Sequence, residues 1–214
     1  MKRSTSFLIS LATILNLHAP ATVRAQGKTG SGTWGFVNAR YDTRSSASIY
    51  TGYGWRSAFA MGGVLNNPRS GNAEMLGGVG AVFRTGAHAH HWLAVASAST
   101  GAVSSAQVYW LPTLRTGAVT TRATVKWSVA YKGSAAQKLS MSPLSLTLPI
   151  GRTLAGGLAI EMAAAKGART SIGAGPELKL KLPHAALYAD VLRDVTAGTT
   201  GRGSRFRMFF ASMF

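Results

Sequence analysis

The residues best placed to do chemistry are arginines and lysines that recur at every second position. Arg122 and Lys126 alternate with Ala123, Val125 and Trp127, Lys179 and Lys181 with Leu178, Leu180 and Leu182, and Arg205 and Arg207 with Phe206 and Met208. A period of two is that of a β-strand whose faces differ in polarity. Each strand then shows cations to one side and hydrocarbon to the other. Extending the same parity to Arg40, Arg56 and Arg84 gives nine cations on the polar side, against Glu74, Glu161, Glu177 and Asp190 as the acids there. Fixed positive charge repeated along one face attracts anions.

Other chemistry finds less support. His88-Ala89-His90-His91 supplies imidazoles that can ligate zinc or copper, but no cysteine exists in the chain and no carboxylate stands nearby to complete a ligand set. A polar turn is expected there and no metal site. His184, Asp190 and the many serines do not form a nucleophile–base–orienter set from spacing alone. No Gly-rich phosphate loop, serine elbow or calcium-loop repeat is present, so no catalytic residues and no cofactor are expected.

The two ends of the chain indicate where such strands would stand. Lys2 and Arg3 precede an apolar run from Phe7 to Leu17, and Val23-Arg24-Ala25 provides small residues before a cut ahead of Gln26. This predicts a secretory signal peptide over 1–25 and one domain over 26–214. Eleven apolar residues are too few for a spanning helix, which takes about 20. At the other end, Phe206, Met208, Phe210, Ser212 and Phe214 share one parity while Arg205 and Arg207 take the other, and the chain stops on the phenylalanine. This ending resembles the C-terminal signature of bacterial outer-membrane β-barrel proteins, of porin-like single-chain type. The resemblance implies an all-β, antiparallel up-and-down transmembrane barrel in the outer membrane of a Gram-negative-type envelope. It also implies that Phe206, Met208, Phe210 and Phe214 form an assembly signal read by the barrel assembly machinery, and that the last strand ends on the periplasmic side.

Removing residues 1–25 from the 214 leaves 189, enough for one domain, and 20 of the 23 lysines and arginines remain against all 6 acidic residues. Without cysteine, stability must come from strand pairing and burial. Nucleic acid is the first partner a basic chain suggests, but export to the envelope argues against it.

Alternation interrupted by turn residues predicts twelve strands: 33–42, 46–53, 55–65, 73–85, 90–99, 104–111, 119–131, 138–148, 154–165, 172–182, 184–194 and 203–214. Gly52-Tyr53-Gly54 could instead be a bulge in one long strand, which leaves ten as the alternative. Leu111-Pro112, Leu148-Pro149 and Leu182-Pro183 each end a strand, since proline lacks the donor that a ladder needs. Trp34, Trp55, Trp92, Trp110, Trp127 and the tyrosines are candidates for interfacial girdles.

With hydrocarbon outward, the nine cations line the lumen as a path for small anionic solutes, which makes a porin-like channel with anion selectivity the first expectation. A closed polar core, in which the same charges pair with carboxylates and carbonyls, is the competing one. The expected upper loops carry Arg44, Arg69, Lys132, Lys166, Arg169 and Arg202 and no acid. A non-conducting barrel whose basic rim contacts outer-membrane lipid, lipopolysaccharide and other glycolipid, glycan or protein is therefore the alternative function.

Overall fold

The computed structural model describes residues 32–43, 46–67, 72–133, 137–196 and 203–214. The region 1–25, together with Arg44, Arg69 and Arg202, lies outside the described residues. Twelve antiparallel strands follow one another around a closed barrel: β1 (Thr33–Asp42), β2 (Ser46–Trp55), β3 (Ala58–Asn67), β4 (Asn72–Thr85), β5 (Ala89–Ser99), β6 (Ser104–Thr116), β7 (Val119–Lys132), β8 (Lys138–Pro149), β9 (Leu154–Ala165), β10 (Ser171–Lys181), β11 (Ala185–Asp194) and β12 (Ser204–Met213). Each strand pairs with its sequence neighbours, and β12 returns to pair with β1 from Asp42↔Arg207 to Phe36↔Met213. Gly35 and Phe214 exchange backbone hydrogen bonds of 2.7 and 3.0 Å, which close the ring at the end that carries the C-terminus, here the lower end. Closure leaves no unpaired sheet edge, the condition for a sheet to stand in hydrocarbon.

The alternation sorts the side chains as a two-faced strand requires. Met75, Val79, Phe83, Leu93, Val95, Trp127, Leu178 and Leu180 are exposed on the outer wall, where lipid would cover them. Phe206 and Met208 share that wall, while Arg205 and Arg207 on the other parity of β12 are buried. The outward aromatic set includes Tyr53, Trp55 and Trp110 as well as Tyr41, Trp127 and Tyr131.

Three local readings of the sequence are corrected by the coordinates. β2 and β3 are separate strands joined by the two-residue turn Arg56-Ser57, so the Gly52–Gly54 bulge and the ten-strand alternative fall away. Leu111-Pro112 does not end β6, which continues to Thr116. Ladder pairs to β7 flank the dipeptide at Trp110↔Val125 and Thr113↔Arg122, and Pro112 pairs with His91 on the β5 side. Trp34 and Trp92 are not girdle residues: they lie on the inward parity of β1 and β5, packed against the buried Phe36 and Phe59.

Candidate functional site in the barrel interior

The inner wall has two chemically distinct arcs. From β1 to β6 its lower part is apolar. Trp34, Phe36, Phe59 and Trp92 form a ring cluster with centroids 5.3–6.2 Å apart, and Trp34–Trp92 and Phe36–Phe59 meet edge to face. Glycine makes this packing possible. A Cβ on Gly52 would collide with the Phe36 ring, one on Gly54 with Trp34 and one on Gly80 with Phe59, so the rings lie against bare backbone. The Trp34 indole N–H donates to the carbonyl of Arg56 at 2.8 Å, which ties the cluster to the β2–β3 turn. Above it, Leu76, Ala96 and Ala98 pack with Tyr50, Met61 and Tyr109.

The arc from β7 to β12, together with the upper part of β1, is charged. Arg207 of β12 is fully buried and spends every nitrogen: Nε and Nη2 each donate to Asp190 at 2.8 Å, and Nη1 donates to Ser142 at 2.9 Å and to Glu161. Glu161 of β9 also takes Arg205 at 2.8 Å and Arg40 at 3.6 Å. Arg40 reaches Asp42 and the Ser142 hydroxyl, both at 3.4 Å. This cluster ties β1 and β12 to β8 and β9 across the interior, a span that strand pairing does not make. Ser142 reaches it because the β8–β9 register shifts between Met141 and Leu144.

A second group sits lower. Arg122 of β7 lies over the Tyr188 ring at 3.6 Å and faces Glu177 at 3.5 Å, while Glu177 accepts from the Ser145 hydroxyl. Lys179 approaches the same Tyr188 ring at 4.9 Å, and Lys126 stands over Tyr109 at 5.4 Å. Arg122 and Arg40 keep 23% and 27% of their side chains exposed, against 6% for Arg205 and 0% for Arg207. Nε and Nη2 of Arg122, Nε of Arg40 and Nε of Arg205 meet no hydrogen-bond acceptor. Of these three guanidiniums, Arg122 and Arg40 are the ones that keep exposure to the interior.

The nine cations named from the sequence therefore take different places. Arg40, Arg122, Lys126, Lys179, Arg205 and Arg207 gather in the interior as described. Arg84 and Lys181 stand at exposed inward positions near the lower mouth. Arg56 belongs to no strand: it occupies the β2–β3 turn with a φ of 54° and its guanidinium lies 4.4 Å over Trp55. On the acidic side, Asp42 and Asp194 also take the inward parity, so all six acids of the chain face the interior rather than four. Both close a strand beside a loop, where parity is hardest to read. Asp42 is two residues from Arg40, which was the available signal.

The histidines split. His91 stacks between Phe83 and Trp110 on the outer wall and accepts from the Trp110 indole N–H at 3.3 Å, whereas His90 takes the inward parity. Both lie in β5, while His88 occupies the turn expected there. Asp190 is committed to Arg207, and the His184 carbonyl receives the Ser212 hydroxyl at 3.0 Å.

No family model and no curated protein matches the chain. Among solved structures it is similar to the KdgM porin in complex with disordered oligogalacturonate, with a TM-score of 0.59 at 10% identity over 85% of this chain and 99% of that one. It is also similar to the NanC porin, with a TM-score of 0.53 at 8% identity over 84% and 98% of the two chains. At these identities the likeness is one of fold: the chain has a closed twelve-stranded barrel that resembles those of porins.

Proposed function

We propose that residues 26–214 form an outer-membrane channel that passes small anionic solutes through a basic lumen, after export directed by a signal peptide over 1–25. The carrying observation is the distribution of inward charge. The carboxylates Asp42, Glu161, Glu177 and Asp190 are held against Arg40, Arg122, Arg205 and Arg207, while Lys126 and Lys179 rest on aromatic rings. Lys181 and Arg84 stand at the lower mouth. Of the nine cations, eight stay inward once Arg56 is placed in its turn, against six acids that include Glu74 and Asp194. The excess is small and stands in Arg84 and Lys181 at the lower mouth, where it favours anions at the entrance. No hydrolytic or transfer chemistry is assigned, because the carboxylate of Asp190 is committed to Arg207 and is not free to orient an imidazole. Assembly into the membrane rests on the terminal strand, with Phe206, Met208, Phe210 and Phe214 outward or at its end.

One observation favours the second reading, a non-conducting barrel whose basic rim of Lys132, Lys166 and Arg169 contacts lipopolysaccharide, glycan or protein. The Arg207–Glu161–Ser142 bridge crosses the interior with no exposure left at Arg207. Recording from purified protein in a planar bilayer under a salt gradient separates the two. Discrete conductance with a reversal potential toward that of the anion supports the channel, and silence at all voltages supports the basic rim as the functional surface.

A further inference from the structure

The lower half of the interior sets an apolar arc against a basic one, and that pairing describes a ligand. Trp34 and Trp92 are half-buried while Phe36 and Phe59 behind them are buried, so the two indoles present hydrocarbon to the interior. The register places the basic arc beside them. Leu111, paired with Trp92, and Thr113, paired with Arg122, are successive inward positions of β6. Arg122 is flattened on Tyr188, with Lys179 on the same ring. At the level of the two indoles the apolar arc offers little to a hydroxyl group. The Trp34 N–H is engaged with the Arg56 carbonyl, and Gly52, Gly54, Gly80, Val82 and Leu111 carry no polar side chain, the polar inward residues Arg84, His90 and Thr113 standing one position lower.

We infer that the lower lumen is a subsite for aromatic carboxylates: the ring packs on Trp34 and Trp92, and the carboxylate is held by Arg122 and Lys179. This rests on the reading of the lumen as an anion path, which it makes specific. A hydroxyl-rich acid would gain the charge contact and lose hydrogen bonds to water against the indole wall. A small acid such as acetate gains only the charge contact. An aromatic acid gains both, because edge-to-face and stacked rings contribute about 0.5–1.5 kcal/mol beyond the area they cover, up to about tenfold in affinity.

The test uses the full barrel refolded in detergent micelles, with 4-nitrobenzoate as the probe and acetate, galacturonate and nitrobenzene as comparators. Binding is read by saturable quenching of tryptophan fluorescence, and separately by block of chloride current in a planar bilayer. Quenching by 4-nitrobenzoate at a concentration roughly tenfold below that at which galacturonate or acetate displaces it is expected. Trp92→Leu should weaken this quenching about tenfold and leave acetate displacement alone, whereas Arg122→Gln and Lys179→Gln should weaken both acids. Heat-dependent gel mobility verifies that each variant is folded, and if Trp92→Leu does not fold, Lys179→Gln decides between acid and nitrobenzene.

Equal affinity for the three acids, or saturable quenching by nitrobenzene equal to that by 4-nitrobenzoate, overturns the subsite. Quenching with the expected preference in a barrel that passes no current keeps the subsite and removes the channel. Current without any preference keeps the channel and removes the subsite.

Discussion

The two arcs of the inner wall fill the interior by opposite means. Between β1 and β6, aromatic rings lie over glycines and exclude water by shape, with Phe36 and Phe59 buried against Gly52 and Gly80. Between β7 and β12, guanidiniums fill the space and are held by carboxylates, one from the paired strand, as Asp190 holds Arg207, and others from strands three places away, as Glu161 holds Arg205 and Glu177 faces Arg122. The difference teaches which arc tolerates change. Apolar packing is divided among many small contacts, each lost in proportion to the atoms removed. The ionic arc converges on a few acids, and a single carboxylate can leave several buried cations without a counter-charge.

The largest expected effect follows from that convergence. Glu161 meets Arg40, Arg205 and Arg207, so Glu161→Ala should destabilise the folded barrel by about 3–5 kcal/mol, read by urea unfolding in lipid vesicles. Adding Arg207→Ala to it should cost well under the sum of the two single losses, because the second change removes a charge the first left without its partner. Additive losses would show that Glu161 does not hold this cluster together. In the apolar arc, Phe36→Ala should cost about 3 kcal/mol and combine nearly additively with changes in the charged arc.

Selectivity should separate from stability. Reversing Lys179 and Lys181 to Glu is expected to move the reversal potential toward the cation, most strongly at low salt, since the field is screened over about 8 Å at physiological ionic strength. Folding should change by under about 1 kcal/mol, as neither lysine belongs to the Glu161 cluster. Arg207→Gln should do the opposite, weakening the fold while moving the ion preference less, because its guanidinium has no exposure to the interior water. A preference that follows Arg207 and ignores both lysines would place the ion path through the cluster instead of past it.

The arcs were unequally legible in the sequence. The strands were readable because cations cannot face lipid, so Arg122, Lys126, Lys179, Arg205 and Arg207 marked the inner parity of β7, β10 and β12 directly. Trp34 and Trp92 gave no such mark, since an indole suits a lipid interface and a packed interior alike, and only shared parity with Arg40 and His90 placed them inside. Pairings such as Arg207 with Glu161 and Ser142 were not readable at all. They join strands three and four places apart, and depend on the shear of the closed barrel and on the β8 register shift, neither of which alternation encodes. The proline at 112 misled because a long strand can drop ladder bonds locally and continue.

The smallest effect tests whether the apolar arc is anchored by the Arg56 side chain or only by its backbone. Arg56 adopts a left-handed φ of 54°, a region that a side chain enters at a cost of about 1 kcal/mol and glycine enters freely. Against this stands its guanidinium over Trp55, an exposed contact worth about 0.5–1 kcal/mol. The Trp34 indole bonds to the Arg56 carbonyl, which glycine retains. Arg56→Gly should therefore change stability by no more than about 0.5 kcal/mol, with the near-ultraviolet dichroism of the ring cluster unaltered. Arg56→Pro keeps the carbonyl but fixes φ near −65°, so it should disturb the turn, loosen Trp34 and change that spectrum. A loss well above 1 kcal/mol for the glycine variant would show that the cation on Trp55 holds the lower end of this arc, and that both arcs depend on charge.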